Sequence, residues 1–278
     1  MNVHYTKNSL QTAIREAKLS GETIGFVPTM GALHEGHLSL VRQAFEQTDT
    51  VVVSIFVNPT QFNNAADLEH YPRMLDKDMS LLNALGNVLI FAPSTQEIYP
   101  ENDHFKDIDL SGMDTVLEGE FRPGHFKGVV HVVYNLFKIV EPDKAFFGRK
   151  DFQQVAIIQK MVEVLALVVE IIPCETTRSK DGLALSSRNL RLSISEKEEA
   201  LIIFQTLRFI QGLKTSKSPA EAKQAGIDYF TKSQLKLEYL AIVDSYTLQE
   251  LTDVWPKEAT CCIAAFCGEV RLIDNMQL

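Results

Sequence analysis

Through the first 175 positions, short apolar runs alternate with stretches whose apolar residues recur three or four apart. That is the rhythm of a parallel α/β sheet whose strands are joined by helices. Residues 24–27 and 50–57 read as buried strands, and between them Leu38, Val41 and Phe45 mark one face of a helix. The unit recurs. Leu75, Met79 and Leu82 form a helical stripe running to Gly86, a natural stop, ahead of a strand at 88–91. Val129, Val133, Leu136 and Val140 form a helix stopped near Pro142, followed by a short strand at 145–147. Asp151 is placed to cap a helix over 152–165, and 168–172 reads as the last strand of the series.

After Pro173 the pattern changes to a polar stretch, 175–191, and then to long helices. Ser195 with Glu198, and Ser218 with Glu221, have the Ser-x-x-Glu spacing of capping boxes. Runs at 237–243, 260–266 and 269–273, with Gly268 at the last turn, predict a small antiparallel sheet. The expected fold class is therefore α/β: a parallel-sheet domain over 1–175 and a smaller C-terminal α+β domain with an antiparallel sheet over 176–278.

Composition adds exclusions. A chain of 278 residues, 45% hydrophobic and 23% charged, can bury a core of one large domain or two ordinary ones. Its formal charge, 27 − 36 = −9, disfavours an electrostatic hold on nucleic acid, so an anionic substrate needs a local basic pocket. The N-terminal residues lack an apolar secretory core, and no apolar run reaches the ~18 residues a membrane span requires. The expectation is a cytoplasmic protein. Cys174, Cys261, Cys262 and Cys267 form no CxxC pair, which predicts buried free thiols rather than metal ligands or disulfides.

The sharpest chemical signal is the turn at 28–37, Pro-Thr-Met-Gly-Ala-Leu-His-Glu-Gly-His, between a strand and its helix. Backbone N–H groups at a helix N-terminus make a ready phosphate site. Gly31 and Gly36 permit close approach, and His34 and His37, three residues apart, can face one ligand. Two imidazoles there can stabilise charge growing on an α-phosphoryl group. They can equally be solvated or capping side chains; a zinc site lacks a third ligand at a recognisable spacing.

Three further clusters occupy similar junctions. Gly148-Arg149-Lys150-Asp151-Phe152-Gln153-Gln154 offers a lysine charge for phosphate beside neutral amides, or an ordinary polar helix start. Ser186-Ser187-Arg188-Asn189 offers hydroxyls and a guanidinium that can close over a triphosphate, or a plain surface loop. Asn58 and Gln61 follow a strand at its carboxyl end, where open α/β sheets bind ligands, and can hold a polyol acid without adding charge, or form an ordinary Asn-Pro turn. Arg122-Pro123-Gly124-His125 supplies anion contacts or a loop before a helix.

In this order, the segments 28–37, 56–62, 118–128, 148–154 and 183–189 resemble the signature segments of the pantothenate synthetase family. The resemblance implies that the first domain is a Rossmann-like, nucleotidyltransferase-like fold of the HIGH superfamily and the second a lid, together with a homodimer and a requirement for ATP and Mg²⁺. It implies condensation of pantoate with β-alanine, giving pantothenate, AMP and diphosphate through a pantoyl-adenylate. Carried over by position, Met30, Gly31, Ala32, Leu33, His34, Glu35, Gly36 and His37 contact ATP, as do Gly148, Arg149, Lys150, Asp151, Thr177, Leu185, Ser186, Ser187 and Arg188. His37, His34, Lys150, Ser186, Ser187 and Arg188 are the implied catalytic set. Gln61 and Gln154 are the implied pantoate contacts, with Gln61 also near β-alanine, and Asn58, His125 and Arg122 join them as candidates from the residues themselves. One departure concerns the metal. Where the family presents adjacent acidic residues, this chain has Asp76-Lys77-Asp78, which leaves Asp78 as the metal contact and the ATP phosphates as the main recruiters of Mg²⁺.

Competing readings are a simple nucleotidyltransferase and a non-catalytic nucleotide sensor on the same fold. The first needs basic residues for a second phosphate, whereas Asn58, Gln61 and Gln154 are neutral; the second would lack part of the His34, His37, Lys150, Ser186, Ser187, Arg188 set. An aminoacyl-tRNA synthetase would need a basic tRNA surface, which a charge of −9 does not provide.

Overall fold

The computed structural model describes residues 2–63, 68–103 and 105–278. They form two units: Met1–Gly148 with Ile157–Cys174, and Arg149–Ala156 with Glu175–Leu278. The second unit thus takes Arg149–Ala156 from the segment that the sequence assigns to the first domain.

The first unit is built on a parallel sheet of six strands among the described residues, in the order β1-β4-β3-β2-β5-β6. These are β1 (Val3–His4), β2 (Ile24–Thr29), β3 (Thr50–Ile55), β4 (Val88–Phe91), β5 (Lys144–Gly148) and β6 (Glu170–Cys174). Val51, Val52 and Val53 are all fully buried, because helices cover both faces of a parallel sheet and leave no polar side. The unit's longer helices are α1 (Lys7–Leu19), α2 (Glu35–Gln47), α3 (Leu75–Asn83), α4 (His125–Val140) and α5 (Phe152–Val164), the last of which begins in the second unit.

Strands and helices follow the predicted series, with differences at its ends. β1 and α1 escape the periodicity: β1 has two residues, and α1 buries only Leu10 and Ile14 of a polar stretch. The last strand runs Glu170–Cys174 rather than 168–172, and Val168 is 97% exposed. It passes through Pro173 because β6 is an edge strand, where a missing N–H need not break a ladder.

Sheet order fixes where a ligand can lie. From β2 the chain builds outward through β3 and β4 on one side, then through β5 and β6 on the other. The reversal falls between β2 and β5, and in open α/β sheets the crevice at the carboxyl ends of such strands is the ligand site. Pro28 helps open it. Ile24 accepts from the amide of Asp143 at 2.9 Å, so with period 2 residues 24, 26 and 28 turn their backbone polar groups toward β5. The β2–β5 ladder spans Gly25 and Phe26, and Pro28 has no N–H with which to extend it.

In the second unit, β7 (Lys236–Asp244), β8 (Ala259–Cys267) and β9 (Val270–Gln277) form the antiparallel sheet in that order. Its apolar face packs with α7 (Leu201–Leu213) and α8 (Pro219–Phe230) through Ile203, Leu207, Ile210, Ala222, Phe230, Ile242 and Ile263, while the short α6 (Ile194–Glu199) ahead of α7 buries none of its residues. The Ser218–Glu221 capping box forms as expected. The other box is Ser193 with Glu196, not Ser195 with Glu198: Ser193 Oγ accepts from the Glu196 amide at 3.3 Å, and the Glu196 carboxylate accepts from Ser193 N at 2.8 Å. Two serines in one turn offer both registers, and Ser193 takes the cap because Ile194 already has helical backbone. All four cysteines are buried thiols outside any disulfide. Burial pushes the Cys261 thiol well above its ordinary range, so it behaves as a small hydrophobe. Among the described residues, no helix is long and apolar enough to cross a membrane.

Candidate active site

At the carboxyl end of β2 the chain turns sharply through Gly31, in the left-handed region at φ 80°, and Ala32 at φ 50°. A Cβ on Gly31 would stand 3.0 Å from Asp78 Oδ2 and 3.0 Å from Ile55 Cγ2, so only glycine fits both the conformation and the space. α2 then starts with a capping box made by two histidines. His34 is the N-cap, and its Nδ1 accepts from the Gly36 amide at 3.1 Å. His37, at the third helical position, accepts the His34 amide on its own Nδ1 at 3.3 Å. The rings lie 4.1 Å apart between centroids.

This arrangement fixes the tautomer. A ring nitrogen that accepts an N–H carries no proton, so in each neutral imidazole the proton sits on Nε2. Both histidines are thereby set as Nε2–H donors at a helix N-terminus, where N–H groups and the helix dipole already favour an anion. The observed capping bonds use Nδ1 of each ring and are compatible with the ligand reading of the pair.

The neighbouring strand ends beside it, Thr29 standing in register with Ile55. The short turn Pro59–Gln61 follows β3, with Asn58 as its N-cap. Gln61 Nε2 donates to Met30 Sδ at 2.8 Å, which ties the turn after β3 to the histidine loop after β2. Asn58, 1% exposed, donates to Gln61 Oε1 at 3.1 Å and to Gly128 O at 3.2 Å. Its Oδ1 accepts from Thr60 N at 3.2 Å and from Tyr99 OH at 2.8 Å. Burial pushes the Tyr99 hydroxyl up to about 12, which keeps it protonated as that donor. His125 Nδ1 donates to Gln61 O at 2.7 Å. Asn58 and His125, expected as pantoate contacts, thus brace Gln61 from two sides. Arg122 pairs with the buried Glu118 at 3.8 Å.

The second unit carries the other predicted residues. Arg149, Lys150 and Asp151 form a 3-10 turn ahead of α5, and the half-buried Gln154 lies in the first turn of that helix. Lys150 Nζ is 3.4 Å from Asp151 Oδ1, and Arg149 pairs with Glu175 at 3.2 Å. Thr177 O accepts from Leu185 N at 3.0 Å, closing a small hairpin that delivers Ser186. Ser186 caps the turn Ser187–Arg191, its Oγ accepting from Arg188 N at 3.2 Å.

Asp78 has a task other than the expected metal contact. It is fully buried, and Oδ2 and Oδ1 accept the amides of Ala32 and Leu33 at 2.9 and 2.7 Å. Burial pushes its carboxyl above the ordinary range, against the pull of those amides and of Lys77. Asp76 and Lys77 are exposed, and no group of three or more His, Cys, Asp and Glu side chains among the described residues is arranged to hold a metal. Asp78→Asn places an NH₂ against an amide donor, and should cost about 1–3 kcal/mol of stability in urea denaturation. The Mg²⁺ titration at fixed ATP should keep the wild-type midpoint; a moved midpoint with unchanged stability would return Asp78 to a metal role.

Several supporting residues are not marked by the sequence around them. Tyr99 and the brace role of Asp78 leave no local signal, since each acts on a segment distant in sequence. Gly128 lies inside a recognised segment, yet its function shows only in contact: a Cβ there would come within 2.3 Å of Thr60 O.

Comparison with known proteins places the chain in a family. The family model described as pantoate-beta-alanine ligase matches residues 2–277. A pantothenate synthetase of Phocaeicola vulgatus is 50% identical over 281 residues, covering 100% of this chain and 99% of the relative. The crystal structure of pantothenate synthetase from Thermus thermophilus superposes with a TM-score of 0.93 at 40% identity, covering 99% of both chains. A pantoate-beta-alanine ligase from Francisella tularensis, complexed with beta-gamma ATP and beta-alanine, superposes with a TM-score of 0.82 at 36% identity, covering 99% of this chain and 97% of that one. With nearly its whole length matched by the family model and by relatives at this identity, the chain belongs to the pantoate-beta-alanine ligase family and is a carbon–nitrogen ligase.

Proposed function

We propose that the chain condenses pantoate with β-alanine at the expense of ATP, with adenylation occurring at the His34–His37 turn. The supporting observation is the bond from Gln61 to Met30, which sets the best candidate for holding the acid directly against the loop suited to phosphate. In the first half-reaction a pantoate carboxylate oxygen attacks the α-phosphorus, the bond to the bridging oxygen of the β-phosphate breaks, and diphosphate leaves. Nε2–H of His34 and of His37 donates to phosphate oxygens as charge builds there, while Lys150 and Arg188 offset the charge of the leaving diphosphate. Ser186 and Ser187 add hydroxyl donors. In the second, the β-alanine amine attacks the acyl carbon, AMP departs, and the nitrogen loses its proton. Gln61 and Gln154 hold the pantoyl group by neutral hydrogen bonds, which spares the acid a competing cation.

Mg²⁺ enters this scheme with ATP, as part of the nucleotide substrate. The described residues do not fit a resident metal site, because Asp78 is committed to two loop amides. The protein acts in the cytoplasm and as a homodimer, which sedimentation at micromolar concentration should show; a monomer under active conditions would refute the dimer.

Incubation with ATP, Mg²⁺ and pantoate, without β-alanine, should support exchange of labelled diphosphate into ATP. Addition of β-alanine should then yield pantothenate and AMP in equal amounts. Exchange that strictly needs β-alanine would exclude a separate adenylation step, and AMP transfer to a phosphate acceptor in place of amide formation would favour the simple nucleotidyltransferase.

A further inference from the structure

We propose that Asn275, in strand β9 of the second unit, is a positioning residue for adenylation: it fixes the turn from which Lys150 reaches the ATP phosphates. The proposal rests on the reading of Lys150 given above. Asn275 is 8% exposed and stands opposite Cys262 of β8. Its carboxamide nitrogen donates to the carbonyl of Arg149 at 2.8 Å and to the carbonyl of Lys150 at 2.8 Å. Both amide hydrogens are engaged with consecutive residues of one three-residue turn, which fixes the orientation of its backbone as a single bond would not. Two carbonyl acceptors also require the NH₂ end of the side chain, so no carboxylate can do the same work.

The residue beside it shows that β9 serves as a fixed support. Asp274, 4% exposed, takes both Nη atoms of Arg178, one of them at 2.9 Å. Arg178 also donates to Gly182 O at 3.1 Å, and its guanidinium lies 4.5 Å above the Phe204 ring. Asp274 thus anchors the hairpin that leads to Ser186, Ser187 and Arg188, and Asn275 anchors the Lys150 turn. Adjacent strand residues project to opposite faces, so one short segment can hold two separated elements. A lysine held by its own flexible stem would spread over many positions, and an error of about 1 Å in a reacting geometry can cost on the order of 10²-fold in rate.

The test is pantoate-dependent exchange of diphosphate into ATP, measured for wild type, N275A, N275D, K150A and the double variant K150A/N275A, each checked for fold by circular dichroism. N275A and N275D should lower exchange about 10- to 100-fold, while aminolysis of supplied pantoyl-adenylate by β-alanine stays within about twofold of wild type. The double variant should match K150A within about twofold, because residues acting through one group are not additive. Wild-type exchange in folded N275A and N275D, or an N275A effect equally large in the wild-type and K150A backgrounds, would overturn the proposal. So would loss of fold in both variants, which would make Asn275 a purely structural residue. Unimpaired exchange in K150A would instead remove the reading of Lys150, and the proposal with it.

Discussion

His37→Gln should fold normally and lose at least ~10²-fold in kcat, the scale of removing one electrostatic contact to a transition state. The choice of glutamine follows from the capping box. His37 occupies the position at which Gln or Glu ordinarily accepts the N-cap amide, and here its Nδ1 takes that bond at 3.3 Å. Glutamine keeps an acceptor for the cap but withdraws the imidazole Nε2–H. His37→Ala removes both, and should therefore lose about 0.5–2 kcal/mol of stability as well. Thermal denaturation and steady-state kinetics on the pair separate the structural from the catalytic share. Near-normal turnover in folded His37→Gln would reduce the histidine pair to a helix cap. His34→Asn provides the parallel case at the N-cap, where asparagine is a good capping residue.

Gly128→Ala should raise the KM for pantoate at least about tenfold with little change in that for ATP, since a displacement of about 1 Å at a binding group is costly. The added Cβ would lie 2.3 Å from Thr60 O, 2.6 Å from Thr60 C and 2.9 Å from Gln61 N, all backbone atoms that no rotamer change can move. α4 must retreat or the Pro59–Gln61 turn must shift, and the same turn is gripped by Asn58 and by His125. Overpacking of this kind costs about 1–3 kcal/mol, which urea denaturation will register. An unchanged pantoate KM in the folded variant would show that Gln61 does not hold the acid.

Strands were legible in the sequence where both of their faces are buried, and helices where one face is. β4 falls at Val88–Phe91 as expected, because a run of four large apolar residues between Asn87 and Ala92-Pro93 suits a strand buried on both faces of a parallel sheet. The histidine loop was legible for a similar reason: its glycines and imidazoles sit together in sequence, so chemistry and spacing can be read locally. The same is true of Lys150 and of Ser186-Ser187-Arg188 as candidates. Element ends were less so. Val168 reads as strand yet is exposed, and Pro173 reads as a stop yet lies within β6, because edge position overrides a local preference.

Residue order was enough for the α/β class, the place of the strand–loop–helix turns, and the residue types available for phosphate and for a neutral polyol acid. What those residues are bound to emerged only with the folded chain. Asp78 reaches back 45 and 46 positions to the loop amides, and Asn275 reaches 125 and 126 positions to the Lys150 turn. A hydrogen bond constrains distance in space and leaves no period along the chain, so a brace of this kind is invisible until both partners have folded. The two histidines belong to both cases: their spacing is local, but the proton's place on Nε2 follows only from seeing each Nδ1 occupied by a backbone amide.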